Sequence, residues 1–311
     1  MNRAATARCA LTILALCALA PLTFARAAGP LRHSIEHDGV TLALWEKPAK
    51  KPRGVILLVH GRTWSSLPNF DLTVAGEDRS VMNAFVRAGF TAFALDLRGY
   101  GQSPRDASGW ITPTHAVEDV QAALDWIAAH HGGKRPALLG YSRGSQVAVL
   151  LAERNPAAMS ALVLFGFPPS TRATSPSDVS DPPRKPTTKA AAAEDFITPD
   201  AQPQAVVDAY VAQATAADPV RTDWREEDQF VFDAPRVTVP TLLLYGVNDP
   251  LRNSASLEFF GGLGTQDRAY VVLPKSDHAA LVEDSGPAWV HAIVGFLDQP
   301  RTRPAAATSR P

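Results

Sequence analysis

The chain has 311 residues, 46% of them apolar and 20% charged, with 30 basic and 31 acidic side chains. These are the proportions of an ordinary soluble protein, and they exclude a collagen-like, coiled-coil or wholly disordered chain. A net charge of −1 offers no basic excess for nucleic acid or for an anionic membrane surface.

The N-terminus reads as an export signal. Arg3 and Arg8 give a basic start, and Ala10 to Ala20 is an apolar run too short to span a bilayer as a mature helix. Ala25-Arg26-Ala27 then fits a small-residue cleavage site ahead of Ala28. Residues 1–27 are expected to be removed and the rest exported, to the periplasm or the outside. That leader holds Cys9 and Cys17, the two cysteines of the chain, so the mature protein is expected to have no disulfide and no thiol nucleophile. No later apolar stretch is long enough to suggest a membrane span.

Short apolar runs follow. Thr41–Trp45 and the segment before it suit an antiparallel edge pair. Gly54–Val59, Phe90–Leu97, Ala137–Tyr141, Ala161–Phe165, Thr241–Tyr245 and Ala269–Leu273 suit strands covered on both faces, as in a parallel sheet. Helical patterns lie between them, at Asp78–Ala88, Gln146–Glu153, Ser254–Phe260 and Ala288–Leu297. A further helix opens at Thr112-Pro113, an N-cap followed by proline, and ends at Gly132-Gly133. Strand alternating with helix predicts an α/β fold, a mostly parallel sheet with helices on both faces.

The alternation breaks after Phe167. Pro168–Pro186 holds six prolines, which predicts loop. Gln204–Ala217 is compatible with helix. The expected organisation is a core of residues 28–166 and 241–298, an inserted cap over 167–240 with a proline-rich start, and a disordered tail over 299–311.

Gly140-Tyr141-Ser142-Arg143-Gly144 is G-x-S-x-G between a strand-like and a helix-like segment, the setting in which a nucleophilic serine is exposed on a sharp turn. Glycines are needed there because the turn brings backbone and helix too close for a Cβ. The helix N-terminus beside Ser142 favours developing negative charge. His60-Gly61-Arg62 closes the strand-like GVILLVH run.

With these two motifs the sequence resembles the α/β-hydrolase superfamily, from about Leu31 to Leu297. The resemblance is to serine esterases and lipases with a helical cap, and more weakly to proline iminopeptidases. It implies that the backbone N–H groups of Arg62 and Arg143 form an oxyanion hole, with Thr63 as a neighbouring alternative donor. Asp96 and Arg98, in the D-x-R-G-x-G-x-S loop, are expected to shape a turn, and His60 to orient its own loop. The family order of nucleophile, acid and base points to Asp249, after Thr241–Tyr245, and to His278, after Ala269–Leu273. Asp277 is the weaker alternative acid.

These residues imply a serine hydrolase acting on a small-molecule acyl substrate, most simply a carboxylic ester, through Ser142, His278 and Asp249. A proline iminopeptidase-like peptidase is the alternative, with Glu194, Asp195, Glu226, Glu227 and Asp228 as cap carboxylates able to hold an amino terminus. A noncatalytic binding protein on the same scaffold is a third. A guanidinium of Arg62 or Arg143 facing the pocket would favour an anionic acyl group. No cofactor or metal is expected: His33, His37, His115, His130, His131 and His291 show no ligand spacing, and no cysteine cluster occurs. Nothing in the sequence bears on oligomeric state.

Overall fold

A computed structural model describes residues 29–169 and 184–300. The leader assigned to residues 1–27, the middle of the proline-rich loop and the tail from residue 301 lie outside the described residues.

Eight strands form one sheet: β1 (Leu31–His37), β2 (Val40–Lys47), β3 (Gly54–Val59), β4 (Phe90–Asp96), β5 (Ala137–Tyr141), β6 (Ala161–Phe165), β7 (Thr241–Gly246) and β8 (Arg268–Leu273). Their spatial order is β1-β2-β4-β3-β5-β6-β7-β8. The strands from β3 onward run parallel, and β2 pairs antiparallel with both β1 and β4. The expected edge pair is therefore a hairpin, turned through Asp38 and Gly39, both at positive φ.

Period-2 alternation splits the sheet's side chains between two cores. Val55, Leu57 and Val59 of β3 join one cluster, with α3 (Pro113–His130), α4 (Arg143–Arg154) and Phe259 of α7 (Ser254–Gly262). Ile56 and Leu58 join the other, with α2 (Val81–Arg87) and α8 (Gly286–Leu297). The central strands are buried on both faces, as their continuous apolar runs require. β8 differs. It is one of the two edge strands, most of its residues are half-buried and Val272 is exposed. Its apolar run had suggested a strand covered on both faces.

Helix starts follow local chemistry. Thr112 caps α3, its side chain accepting from the His115 amide at 3.1 Å, with Pro113 in the first turn. Ser80 caps α2 by accepting from the Asn83 amide at 3.0 Å, so that helix begins after Asp78, which pairs instead with Thr73 in a short antiparallel ladder. α4 begins at Arg143, three residues before the apolar pattern suggests, because the turn at Ser142 feeds directly into it.

The chain passes from β3 to β4 on one side and then crosses to β5 on the other. The crevice beyond the carboxyl ends of β3 and β5 is thus the switch point of the sheet, where ligands of open α/β sheets bind. Between β6 and β7 the chain forms α5 (Lys189–Ala193) and α6 (Gln204–Ala217), and α6 meets α1 (Ser66–Phe70), which follows β3; there Tyr210 Oη donates to Asn69 Oδ1 at 2.8 Å. Residues 223–224 pair with Trp110 and Ile111. The inserted segment is therefore anchored over the loops that leave the carboxyl ends of β3 and β4.

Candidate active site

Ser142 follows β5 immediately and stands at the N-cap of α4, with φ 54° and ψ −119°. That backbone region is sparsely populated for a residue with a Cβ and costs on the order of 1–3 kcal/mol. The surroundings hold it there. Its amide donates to the Phe165 carbonyl at 2.8 Å. A Cβ on Gly140 would lie 2.4 Å from the Gly144 carbonyl oxygen and from Ser145 Cα. A Cβ on Gly144 would lie 2.4 Å from the carbonyl oxygens of Val59 and His60. Both glycines of the motif are required by close backbone approach, as the sequence suggests.

Asp249 and His278 leave the carboxyl ends of β7 and β8. They come together: His278 Nδ1 and Asp249 Oδ2 are 3.0 Å apart, and both residues are buried. The ring lies 5.0 Å, centroid to centroid, from Tyr141, the neighbour of Ser142. Gly166 makes room for it, since a Cβ there would lie 2.4 Å from His278 Cε1 and 3.1 Å from Asp249 Oδ2. Burial by itself lowers the His278 pKa. The hydrogen bond and charge of Asp249, joined by Asp195 and Asp277, outweigh burial and raise it above the ordinary value.

The loop after β3 lies against the serine, because a Cβ on Gly61 would stand 3.2 Å from Ser142 Cβ. His60 is fully buried, and burial depresses its pKa to about 4, so it is neutral at pH 7. The Leu97 amide donates to His60 Nε2 at 3.1 Å, which leaves the proton on Nδ1, donated to the Gly61 carbonyl at 2.8 Å. His60 therefore orients its loop, as expected. The guanidinium groups of Arg62 and Arg143 both bond Glu227 of the inserted segment. Arg143 also lies 4.8 Å over Phe230 and 5.4 Å over Trp224.

Asp96 and Arg98 build the turn. Asp96 accepts from the Ser66 amide at 2.9 Å, the Trp45 indole at 3.0 Å and the Gln102 amide at 3.1 Å. Arg98 pairs with buried Asp119 at 2.6 Å. Asp277, the weaker acid candidate, faces away from the His278–Asp249 pair in its bonding. Its carboxylate accepts the amides of Ile197 at 2.7 Å, Thr198 at 2.5 Å and Ala279 at 2.8 Å. His33 pairs with Glu46, and His130 stacks on Trp126.

Sequence reasoning passed over four residues. Gly166 carries the local sign of an isolated glycine at a strand end. Asp218 bonds the amides of Ser65 and Gly101, each at 2.8 Å. Glu283 is buried beside Asp277, with its Oε2 3.3 Å from the Asp277 amide, and burial followed by the Asp277 charge pushes its pKa up to about 8. Tyr100, inside the turn motif, bonds the Arg62 carbonyl. No local pattern marks Asp218 or Glu283.

Among the described residues no helix is long and apolar enough to cross a membrane. The solved structures similar to this one share its fold. A membrane phospholipase A described as a bacterial virulence factor is 21% identical with a TM-score of 0.61, over 87% of this chain and 86% of that one. The thioesterase domain of a curacin biosynthetic pathway is 17% identical with a TM-score of 0.64, over 86% and 100%. A proline iminopeptidase of Mycobacterium smegmatis is 18% identical with a TM-score of 0.59, over 86% and 97%. A curated epoxide hydrolase of Caballeronia sordidicola is 35% identical over 99 residues, 31% of this chain. The match takes in 26% of that protein, so the chain spans about a quarter of the length of the curated relative it matches. Residues 50–285 match the family described as Serine aminopeptidase, S33. With that match across most of its length, on an eight-stranded α/β-hydrolase sheet, the chain belongs to the S33 serine aminopeptidase family of hydrolases.

Proposed function

We propose that the protein is an exported serine hydrolase that cleaves a carboxylic ester through Ser142, His278 and Asp249. The observation that carries this reading is the His278 Nδ1–Asp249 Oδ2 bond of 3.0 Å beside the strained turn at Ser142. With Nδ1 engaged, Nε2 is the nitrogen left to take the Ser142 proton as Oγ attacks the acyl carbon. Asp249 holds the ring and stabilises its cation. The amides of Arg62 and Arg143 receive the oxyanion, and losing one such donor typically costs about 10²–10³ in rate. His278 then protonates the departing alcohol, and water, deprotonated by the same nitrogen, releases the acid from Ser142.

In this reading residues 167–240 form a cap over the serine, and the acyl chain is the part of the substrate that the cap encloses. The leader over residues 1–27 delivers the protein to the periplasm or the outside.

One observation favours a peptidase as the second reading. Asp195, in the inserted segment, is half-buried and close enough to act electrostatically on His278, Tyr141 and Tyr210. A carboxylate there suits a substrate's ammonium group. Glu227, committed to two arginines, does not. Hydrolysis of p-nitrophenyl acetate, butyrate and octanoate against proline p-nitroanilide separates the two. Ester turnover without anilide cleavage supports the esterase. Anilide cleavage as the dominant reaction transfers the assignment to the peptidase.

A further inference from the structure

Building on the oxyanion hole proposed above, we infer that Tyr100 is a positioning residue through which the inserted segment sets that hole. The evidence is a hydrogen-bonded line from the segment to the loop beside Ser142. Trp224 Nε1 donates to Tyr100 Oη at 2.8 Å, and Tyr100 Oη donates to the Arg62 carbonyl oxygen. Tyr100 is fully buried, and its ring packs 4.5 Å from that of His60.

The chemistry lies in the peptide planes. A peptide is planar and trans, so fixing its carbonyl fixes the N–H on its other side. His60 holds the Gly61 carbonyl and thereby the Arg62 N–H. Tyr100 holds the Arg62 carbonyl and thereby the Thr63 N–H. Two consecutive planes are pinned from behind, so either candidate donor of this loop depends on the pair. His60 accepts its own hydrogen bond from the core, from the Leu97 amide. Tyr100 is the member that reaches the inserted segment.

The same segment also bonds the side chains of both proposed oxyanion residues. Three residues after Trp224, Glu227 bonds the guanidinium groups of Arg62 and Arg143. Asp218 and Thr222 add further contacts, to the amides of Ser65 and Gly101 and to the Gly99 carbonyl. Residues 218–227 and the loop that carries the oxyanion donors are therefore held in one network of contacts.

The test uses Tyr100→Phe and Trp224→Phe, which keep aromatic rings and remove one donor each, with Ser142→Ala alongside. The readouts are kcat, KM and the Ki of an alkylboronic acid, which forms a tetrahedral adduct on a nucleophilic serine. Misplacing a donor by part of an ångström predicts a kcat loss of about 10- to 100-fold for Tyr100→Phe, with KM within about twofold. The boronate Ki should rise in the same proportion, a change that a smaller folded fraction does not produce. Trp224→Phe should move the same two quantities less, and the double variant should be no worse than Tyr100→Phe alone. Wild-type kcat and Ki in Tyr100→Phe overturn the inference, as do losses that multiply in the double variant. Should Tyr100→Phe not fold, unchanged kcat and Ki in Trp224→Phe overturn it equally. Undiminished turnover by Ser142→Ala is a separate outcome and refutes the nucleophile itself.

Discussion

Asp249 Oδ2 lies 3.0 Å from His278 Nδ1, and both residues are buried. The His278 pKa is raised above its ordinary 6.5: burial opposes this, and Asp249 outweighs burial. A general base must be neutral, so kcat/KM should rise with pH to a midpoint above 6.5. Asp249→Asn should move that midpoint down and lower kcat by about 10³–10⁴. A pH–rate profile of both proteins checks this, and an unmoved midpoint in the variant contradicts it.

Asp195 contributes to the same pKa with the same sign. Asp195→Asn should shift the acidic limb of the profile downward by less than Asp249→Asn does. On the alkaline plateau of each profile, neutral esters should turn over within about threefold of wild type. A selective loss on amino-bearing substrates would instead support the peptidase reading.

Gly144 sits against the backbone of β3. A Cβ there would meet the Val59 and His60 carbonyl oxygens at 2.4 Å, and neither can swing away as a side chain does. Gly144→Ala must therefore push the serine turn and the Arg62 loop apart. A displacement of part of an ångström should cost about 10²-fold in kcat/KM, well beyond the effect on Tm. Wild-type kinetics in a folded Gly144→Ala protein would show that the two loops tolerate separation.

Glu283 is buried beside Asp277, which pins residues 197–198. Its folded pKa of about 8 lies above the ordinary 4.5, so at neutral pH the folded state holds a proton that the unfolded state has lost. This carboxyl's contribution to stability is full below 4.5 and is lost as pH rises through 8. Glu283→Gln mimics the protonated form. It should remove that part of the decline in Tm between pH 5 and 8.5, measured by differential scanning calorimetry. Parallel Tm curves for variant and wild type would refute the assignment.

Much of this was legible in the sequence because it is local. Strand, serine turn and helix are contiguous around Ser142, so the apolar runs and two glycines define them. The α/β-hydrolase resemblance, with its order of nucleophile, acid and base, points to Asp249 and His278 after two strand-like runs, and the fold brings these two side chains together. The contacts between Trp224, Tyr100 and Arg62 were not legible. Trp224 and Tyr100 are 124 residues apart in the chain, and no periodicity connects them. The fate of the arginine charges was hidden for the same reason, since Glu227 lies 165 residues from Arg62. The exposure of β8 could not be read from its apolar run either, because an outer place in the sheet is a property of topology.

The central claim is that Ser142 is the nucleophile, and Ser142→Ala tests it most directly. Wild type and variant should be compared on p-nitrophenyl butyrate and labelled with a fluorophosphonate, with the adduct located by peptide mass spectrometry. The account predicts ester turnover by wild type, one adduct on the peptide bearing Ser142, and loss of both in the variant. Undiminished turnover by Ser142→Ala, or an adduct on another residue, would contradict it.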